Sequence, residues 1–223
     1  IGVVMDTSGS MSSQGKIDYA KYAAQWLIEN LEPTDTFSLV TFSTKARTLI
    51  GSQPVSQLTS AHQVIASIQE SGGTHLYDGL QMGIEEVIKG DVGENIDRMI
   101  LLSDGQANIG PTDSNSFQTL VASSVAKGVA ISTIGLGREF NEQLLLSLSD
   151  TGGGSYDYVD NPKSLSDAFQ KELNRTVSVV ASQATLTLDF PRGVEPVQIL
   201  GWPYDSDGQR LHLNLGEIYS GET

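Results

Sequence analysis

Cysteine is absent from this 223-residue chain. Its absence excludes disulfides, thiolate metal sites and cysteine nucleophiles, while leaving the redox compartment open. Positive charge is scarce as well: 13 Lys and Arg stand against 27 Asp and Glu, a formal net charge of -14. A phosphate backbone would meet a repulsive field, so nucleic acid is not expected as a partner. Long hydrophobic runs are missing too, none approaching the roughly 20 apolar residues of a membrane span, and no signal-peptide pattern is visible. The chain opens at Ile1 inside an apparent strand without an initiator Met. It therefore reads as a fragment of a longer protein, with any targeting signal lying outside it.

What the chain does have is length for one well-buried α/β domain, with about forty residues left for a smaller unit. Short apolar runs alternate with helical patterns for most of that length, which predicts a mainly parallel sheet with helices on both faces. Ile1 to Met5 is the first run. Ile17, Ala20, Ala24, Leu27, Ile28 and Leu31 then recur at spacings of three and four, one buried helical face that ends before Pro33. "TFSLVTF" is a strand, and "KARTLI" returns beside it as an antiparallel edge. Helices follow near Ser60 to Ile68 and along Leu76, Leu80, Ile84, Val87 and Ile88, separated by an "SGGT" loop. The strand "DRMILLSD" ends in Asp104.

The second half keeps the rhythm, with helices near Ser114 to Lys127 and Asn141 to Ser149 and strands "GVAISTIGLG" and "SYDYV". "DNPKSLSDAFQKELNRT" is the last helix of this domain, capped by Asn161 with Pro162 in its first turn, and Leu165, Ala168, Phe169 and Leu173 form its buried stripe. Beyond it "ATLTLDF", "EPVQILGW" and "QRLHLNLGEI" alternate like half-buried strands, with "YDSDGQ" as a hairpin connection. The expected organisation is a domain over residues 1-176 and a partial β segment over 177-223, part of a β-sandwich.

Ligands in parallel α/β folds bind at the loops beyond the carboxyl ends of the strands. Asp6, in "VVMDTSGSMSS", and Asp104 both stand at such ends. If their strands are neighbours, Asp6, Ser8, Ser10 and Asp104 come together, and the loop "GGTHLYDGL" supplies Thr74. Five oxygen-bearing side chains then face one point. That set suits a hard divalent cation such as Mg²⁺, which takes octahedral oxygen coordination and keeps some of its water. Two carboxylates balance the ion on paper, but if either binds through water the outer face stays electrophilic and accepts one more carboxylate from outside.

At these residues the chain resembles the von Willebrand factor type A family, whose metal-ion-dependent adhesion site has the pattern D-x-S-x-S, then a threonine, then an aspartate in separate loops. Asp6, Ser8 and Ser10 in "DTSGS", Thr74 in "GGTHL" and Asp104 in "LLSDGQAN" match it. The resemblance covers roughly residues 1 to 176. It implies a doubly wound, mainly parallel six-stranded sheet with helices on both faces, followed by a partial β appendage. It also implies a bound Mg²⁺, with Mn²⁺ or Ca²⁺ as alternatives, and reversible binding of a protein partner that supplies a Glu or Asp to the metal. "LGEIYSGE" resembles the β region that follows this domain in some bacterial surface proteins and in inter-alpha-trypsin inhibitor heavy chains. Adhesion or complex assembly, in an extracytoplasmic or membrane-anchored setting, is the expected role; oligomeric state is not legible.

Rival readings are weaker. A type A domain also serves as a cytoplasmic subunit of metal-chelating or ATP-driven assemblies. A haloacid-dehalogenase-like phosphatase would need a second Asp where Ser8 stands, and a serine hydrolase would need a G-x-S-x-G elbow with a histidine base. Neither serine of "DTSGSM" fits that elbow, and the three histidines, His62, His75 and His212, stay surface candidates. Asp78, four residues beyond Thr74, reads as a solvated position in a helix's first turn.

Overall fold

The structure, a computed structural model, describes residues 1–90, 96–104, 107–137, 140–160, 164–191, 194, 204–206 and 210–220. It divides into two compact units, Ile1–Asn174 and Arg175–Thr223. In the first unit the strands are β1 (Gly2–Asp6), β2 (Thr36–Phe42), β3 (Ala46–Pro54), β4 (Asp97–Ser103), β5 (Val129–Leu136) and β6 (Gly153–Val159). The helices are α1 (Lys16–Asn30), α2 (Ala61–Ala66), α3 (Leu76–Lys89), α4 (Ser114–Val125), α5 (Glu142–Gly152) and α6 (Leu165–Ser178), the last of which runs on into the second unit.

The sheet order is β3-β2-β1-β4-β5-β6. Every neighbour pair is parallel except β2 with β3, the expected antiparallel edge. Central strands read as unbroken apolar runs because both faces are covered: β1 is buried along its whole length. On one face α1, α2 and α6 pack against Val3, Met5, Leu39, Ile100 and Leu102; on the other α3, α4 and α5 pack against Val4, Val40, Met99 and Leu101. The α1 stripe from Ile17 to Leu31 and the α6 stripe of Leu165, Ala168, Phe169 and Leu173 are buried as their spacing predicts. The capping pair Asn161 and Pro162 lies outside the described residues.

One charged group breaks the apolar pattern. Arg98, in β4, is fully buried and donates from Nη1 to Glu172 Oε1 of α6 at 2.6 Å and to Ser132 Oγ of β5 at 3.0 Å. The hydroxyls of Ser132 and Ser155 also donate to the Glu172 carboxylate, so three strands and one helix share this knot. A buried ion pair is worth little against an apolar substitute, but removing one partner strands the other charge in a low-dielectric interior.

The second unit contains an antiparallel three-stranded sheet of β7 (Val179–Asp189), β9 (Arg210–Tyr219) and β8 (Tyr204–Ser206), in the order β7-β9-β8. The expected strands "ATLTLDF" and "QRLHLNLGEI" match β7 and β9 except that β7 ends one residue before Phe190 and Gln209 lies outside the described residues, as does "EPVQILGW".

Glu172→Ala should destabilise the domain by about 3–5 kcal/mol, the cost of stranding the Arg98 guanidinium. Glu172→Gln should cost less because its amide oxygen can still accept from Arg98 and Ser132. Urea unfolding of the two variants beside the parent checks both the size and the order.

Candidate metal centre

The strand order reverses between β1 and β4: the chain leaves β1 toward β2 and β3, then returns on the other side to β4. Loops diverging from two neighbouring parallel strands open a crevice at such a switch point. Asp6 ends β1 and Asp104 follows β4, and Met5 pairs with Leu102 in register, so both carboxylates arrive at one edge.

Each carboxylate is built in by hydrogen bonds. Asp6 Oδ1 accepts from the backbone N–H of Ser8 at 2.8 Å, and Oδ2 accepts from Ser103 Oγ at 2.6 Å. The hydroxyls of Ser8 and Ser10 lie 3.0 Å apart, and Ser10 Oγ donates to Asp104 Oδ1 at 2.8 Å. Asp6, Ser8 and Asp104 are buried while Ser10 is exposed, so the cluster has a closed floor and an open rim. Four of the five sequence-selected residues therefore form one bonded chain.

Thr74 is placed by its backbone. Its N–H donates to Asn108 Oδ1 at 2.8 Å and its carbonyl accepts from the N–H of Asn108 at 3.0 Å, which ties its loop to the one after β4. The preceding Gly72 adopts φ 78° and accepts from Gly9 N–H through its carbonyl, so the Thr74 loop also meets the serine loop. A Cβ on Gly72 would stand 2.3 Å from Thr44 Oγ1, which leaves room for glycine alone. The Thr74 side chain is buried, yet its hydroxyl makes no hydrogen bond. Its oxygen is not sealed from solvent, which leaves the hydroxyl available to a ligand at this edge.

Lys16 has no local signal in the sequence, standing at the start of α1 as an ordinary helical lysine. The backbone passes through the left-handed region at Gln14 (φ 56°) and Gly15 (φ 69°) before α1 begins. That turn sends Lys16 inward, where Nζ donates to Asp104 Oδ2 at 2.6 Å with only 11% of its side chain exposed. The ammonium neutralises one carboxylate of the pair. Asp6 has no such partner: burial pushes its carboxyl up from 3.8 to about 6, with the Asp104 charge adding to the rise and hydrogen bonds from Ser103 and Ser8 opposing it.

Asp78 stands in the first turn of α3 with its side chain 39% exposed, and it also bonds across to the β2–β3 turn. Its Oδ2 accepts from Ala46 N–H at 2.8 Å, pinning the turn between β2 and β3. His75 lies against Gly110, where an added Cβ would stand 1.9 Å from its Nε2, and its Nδ1 is 3.9 Å from Asp78 Oδ2.

The donors are all oxygen, two carboxylates and three hydroxyls, and no cluster of three or more His, Cys, Asp or Glu suited to a metal occurs among the described residues. This set fits a hard divalent cation that keeps part of its hydration, and it is too poor in charge for a closed calcium cage.

The class defined by this fold and edge is a doubly wound α/β domain with a cluster of carboxylates and hydroxyls at its switch point. The chain belongs to the von Willebrand factor type A domain family, whose model matches residues 1–171. It is 27% identical over 222 residues to the uncharacterized protein YfbK of Escherichia coli, covering 98% of this chain and 38% of that protein. Against inter-alpha-trypsin inhibitor heavy chain H4 of Homo sapiens it is 28% identical over 200 residues, covering 84% and 21%. The von Willebrand factor type A structure from Catenulispora acidiphila shares the fold with a TM-score of 0.82 at 18% identity, over 98% of this chain and 54% of that one. Proximal thread matrix protein 1 of the mussel byssus, solved with its MIDAS motif occupied by zinc, does so with a TM-score of 0.64 at 17% identity, over 85% and 48%. The chain spans less than half the length of the curated relatives it matches. No helix among the described residues is long and apolar enough to cross a membrane.

Two outcomes follow from the charges at this edge. Without metal, folded Asp6 holds its proton up to about pH 6 whereas the unfolded chain releases it near its ordinary value of 3.8. The Asp6 contribution to stability is thus full below that lower value and is lost as pH rises through the upper one. Between about pH 5 and about pH 7.5 the loss is about 1 kcal/mol or slightly more. Urea midpoints of metal-free protein should fall by that amount relative to Asp6→Asn. Lys16→Met should lower metal-free stability by about 3 kcal/mol, because it leaves Asp104 buried and unpaired. It should also strengthen Mg²⁺ binding by about tenfold by removing a competing charge, as read by calorimetry.

Proposed function

We propose that this domain is a metal-dependent protein-binding module in which Asp6, Ser8, Ser10, Thr74 and Asp104 hold Mg²⁺ and a Glu or Asp of the partner completes the coordination. The observation that carries the reading is the bonded chain from Asp6 through Ser8 and Ser10 to Asp104, with the idle Thr74 hydroxyl in the adjoining loop. Membership of the type A family supports it, as does the zinc in the MIDAS motif of the mussel protein. Mg²⁺ is preferred to zinc because the donor set has no nitrogen or sulfur.

The ion would act as a Lewis acid that accepts an outside carboxylate. This chain's residues do the positioning. Ser103 and the Ser8 N–H hold the Asp6 oxygens, while Lys16 and Ser10 hold those of Asp104. The exposed Ser10 marks the side from which a partner reaches the edge.

Binding without catalysis fits the histidines. His62 is 3.0 Å from Glu29, His212 is 3.0 Å from Thr187, and His75 stands against Gly110. The serine hydroxyls bond to each other and to Asp104, and no histidine bonds to either among the described residues. An extracytoplasmic or membrane-anchored setting, with adhesion or complex assembly as the role, belongs to the same reading.

Thr74→Val separates the site from the fold, because the lost hydroxyl makes no hydrogen bond in the structure. Calorimetry should show Mg²⁺ affinity reduced by about tenfold, with metal-free stability within about 1 kcal/mol of the parent. Asp104→Ala is less clean, since it leaves Lys16 without its partner. For the partner, the full-length protein is incubated with its native lysate and Mg²⁺, and a chelator should release the captured protein. Neutralising one Asp or Glu of that protein should abolish its Mg²⁺-dependent binding. Capture that survives the chelator unchanged excludes the mechanism.

A further inference from the structure

Behind the serine loop lies a cavity of about 330 Å³ lined by Thr7, Thr41, Ser43, Lys45, Arg47, Leu49, Ser67, Ile68, Gln69 and Ser71. Its size is at the small end of ligand pockets. One wall is the β2–β3 hairpin. Lys45 precedes β3, Arg47 and Leu49 follow at alternate positions, and Thr41 of β2 lies directly across from Arg47 in register. The other wall is the segment after α2, which Ser71 N–H ties to the Thr7 carbonyl at 2.8 Å. Since Thr7 sits between Asp6 and Ser8, the cavity and the candidate metal centre share one strip of backbone.

The lining is chemically one-sided. It contains two cations and several hydroxyls, and no Asp or Glu. Several other cations of this acidic chain find acids: Lys16 pairs with Asp104, Lys89 with Glu86, Arg98 with Glu172, Lys171 with Asp157 and Arg210 with Asp189. Among the described residues Lys45 and Arg47, both exposed, pair with no acid; nor do Lys21 and Lys127, but those two do not line the cavity.

The second observation is Thr41. It is 7% exposed, its side chain lines the cavity, and its hydroxyl makes no hydrogen bond. The Thr7 and Ser67 hydroxyls, by contrast, are spent on the carbonyls of Phe42 and Val64. An unpartnered hydroxyl open to the cavity beside two cations that meet no acid leaves three donors facing one space, and an oxyanion supplies acceptors to all three.

We infer that this cavity is an oxyanion-binding site, taking a carboxylate or phosphate group between Arg47, Lys45 and the Thr41 hydroxyl. Arg47 offers a planar fork of donors that matches either group, Lys45 a point charge, and Thr41 a fixed short-range donor. The net charge of -14 opposes anions at long range, so recognition rests on these contacts and weakens as salt screens the two cations. The inference does not depend on a bound metal.

The test uses the whole chain, stripped of divalent ions and dialysed free of chelator. Inorganic phosphate and glutarate are titrated separately while the backbone amide resonances of Ser43, Arg47, Gln69 and Ser71 are followed, with chloride at matched ionic strength as the control. At least one probe should give saturable shifts centred on these residues. The double variant Lys45→Gln/Arg47→Gln should weaken binding by about tenfold or more, the scale of lost charge-assisted hydrogen bonds. Thr41→Val, which keeps both charges and the side-chain shape, should weaken it by about threefold or more. Tighter phosphate binding assigns the site to a phosphate-bearing ligand, and tighter glutarate binding to an acidic side chain. Shifts that do not saturate, that chloride reproduces, or that persist unchanged in the double variant overturn the inference.

Discussion

Two carboxylates held inside one edge of a sheet set the terms for the rest of this domain. Asp6 and Asp104 are both removed from water, and like charges so placed repel unless something neutralises them. The structure uses two devices. Lys16 answers Asp104 from the start of α1, and Asp6 keeps its proton to higher pH than an ordinary carboxyl. On the proposed reading a divalent cation would answer both acids at once, with the Thr74 hydroxyl in the adjoining loop. The edge is therefore strained without metal in a specific sense: its neutralisers are one proton and one displaceable ammonium.

That strain is tolerable because the scaffold beneath is overdetermined. β1 is buried on both faces, and helices of the first and last thirds of the domain lie on the same side of the sheet. Arg98 and Glu172 repeat the theme on that face, a paired charge in the interior that ties α6 to β4, with hydroxyls of β5 and β6 sharing the carboxylate. The two buried charge sets differ in kind. The Arg98 set is enclosed in the interior, whereas the Asp6 and Asp104 set stands at an edge with an exposed serine on its rim. Position, more than composition, makes one structural and the other available.

Much of the fold was legible in order and in facing. The α1 and α6 stripes, the antiparallel return of "KARTLI" and the placement of Asp6 and Asp104 at strand ends all follow from local spacing, since a period of three to four or an unbroken apolar run is a property of neighbouring residues. Asp78 shows the limit. Its place in the first turn of α3 was readable, but its bond to Ala46 N–H depends on a hairpin 32 residues away. The five candidate donors come from "DTSGS", "GGTHL" and "LLSDGQAN", and the fold brings Asp6, Ser8, Ser10 and Asp104 into one bonded chain.

The sequence by itself determined the alternation of strands and helices, the apolar faces and the chemical type of the candidate site, because each of these is written over a few consecutive residues. Tertiary structure alone decided which charges meet. Lys16 reaches Asp104 across 88 residues and Arg98 reaches Glu172 across 74, and the basic cavity gathers residues from β1's end, a hairpin and the segment after α2. No periodicity links such residues. They come together because the strand order reverses at β1 and brings separated loops to one edge, and only there does burial give each charge its consequence.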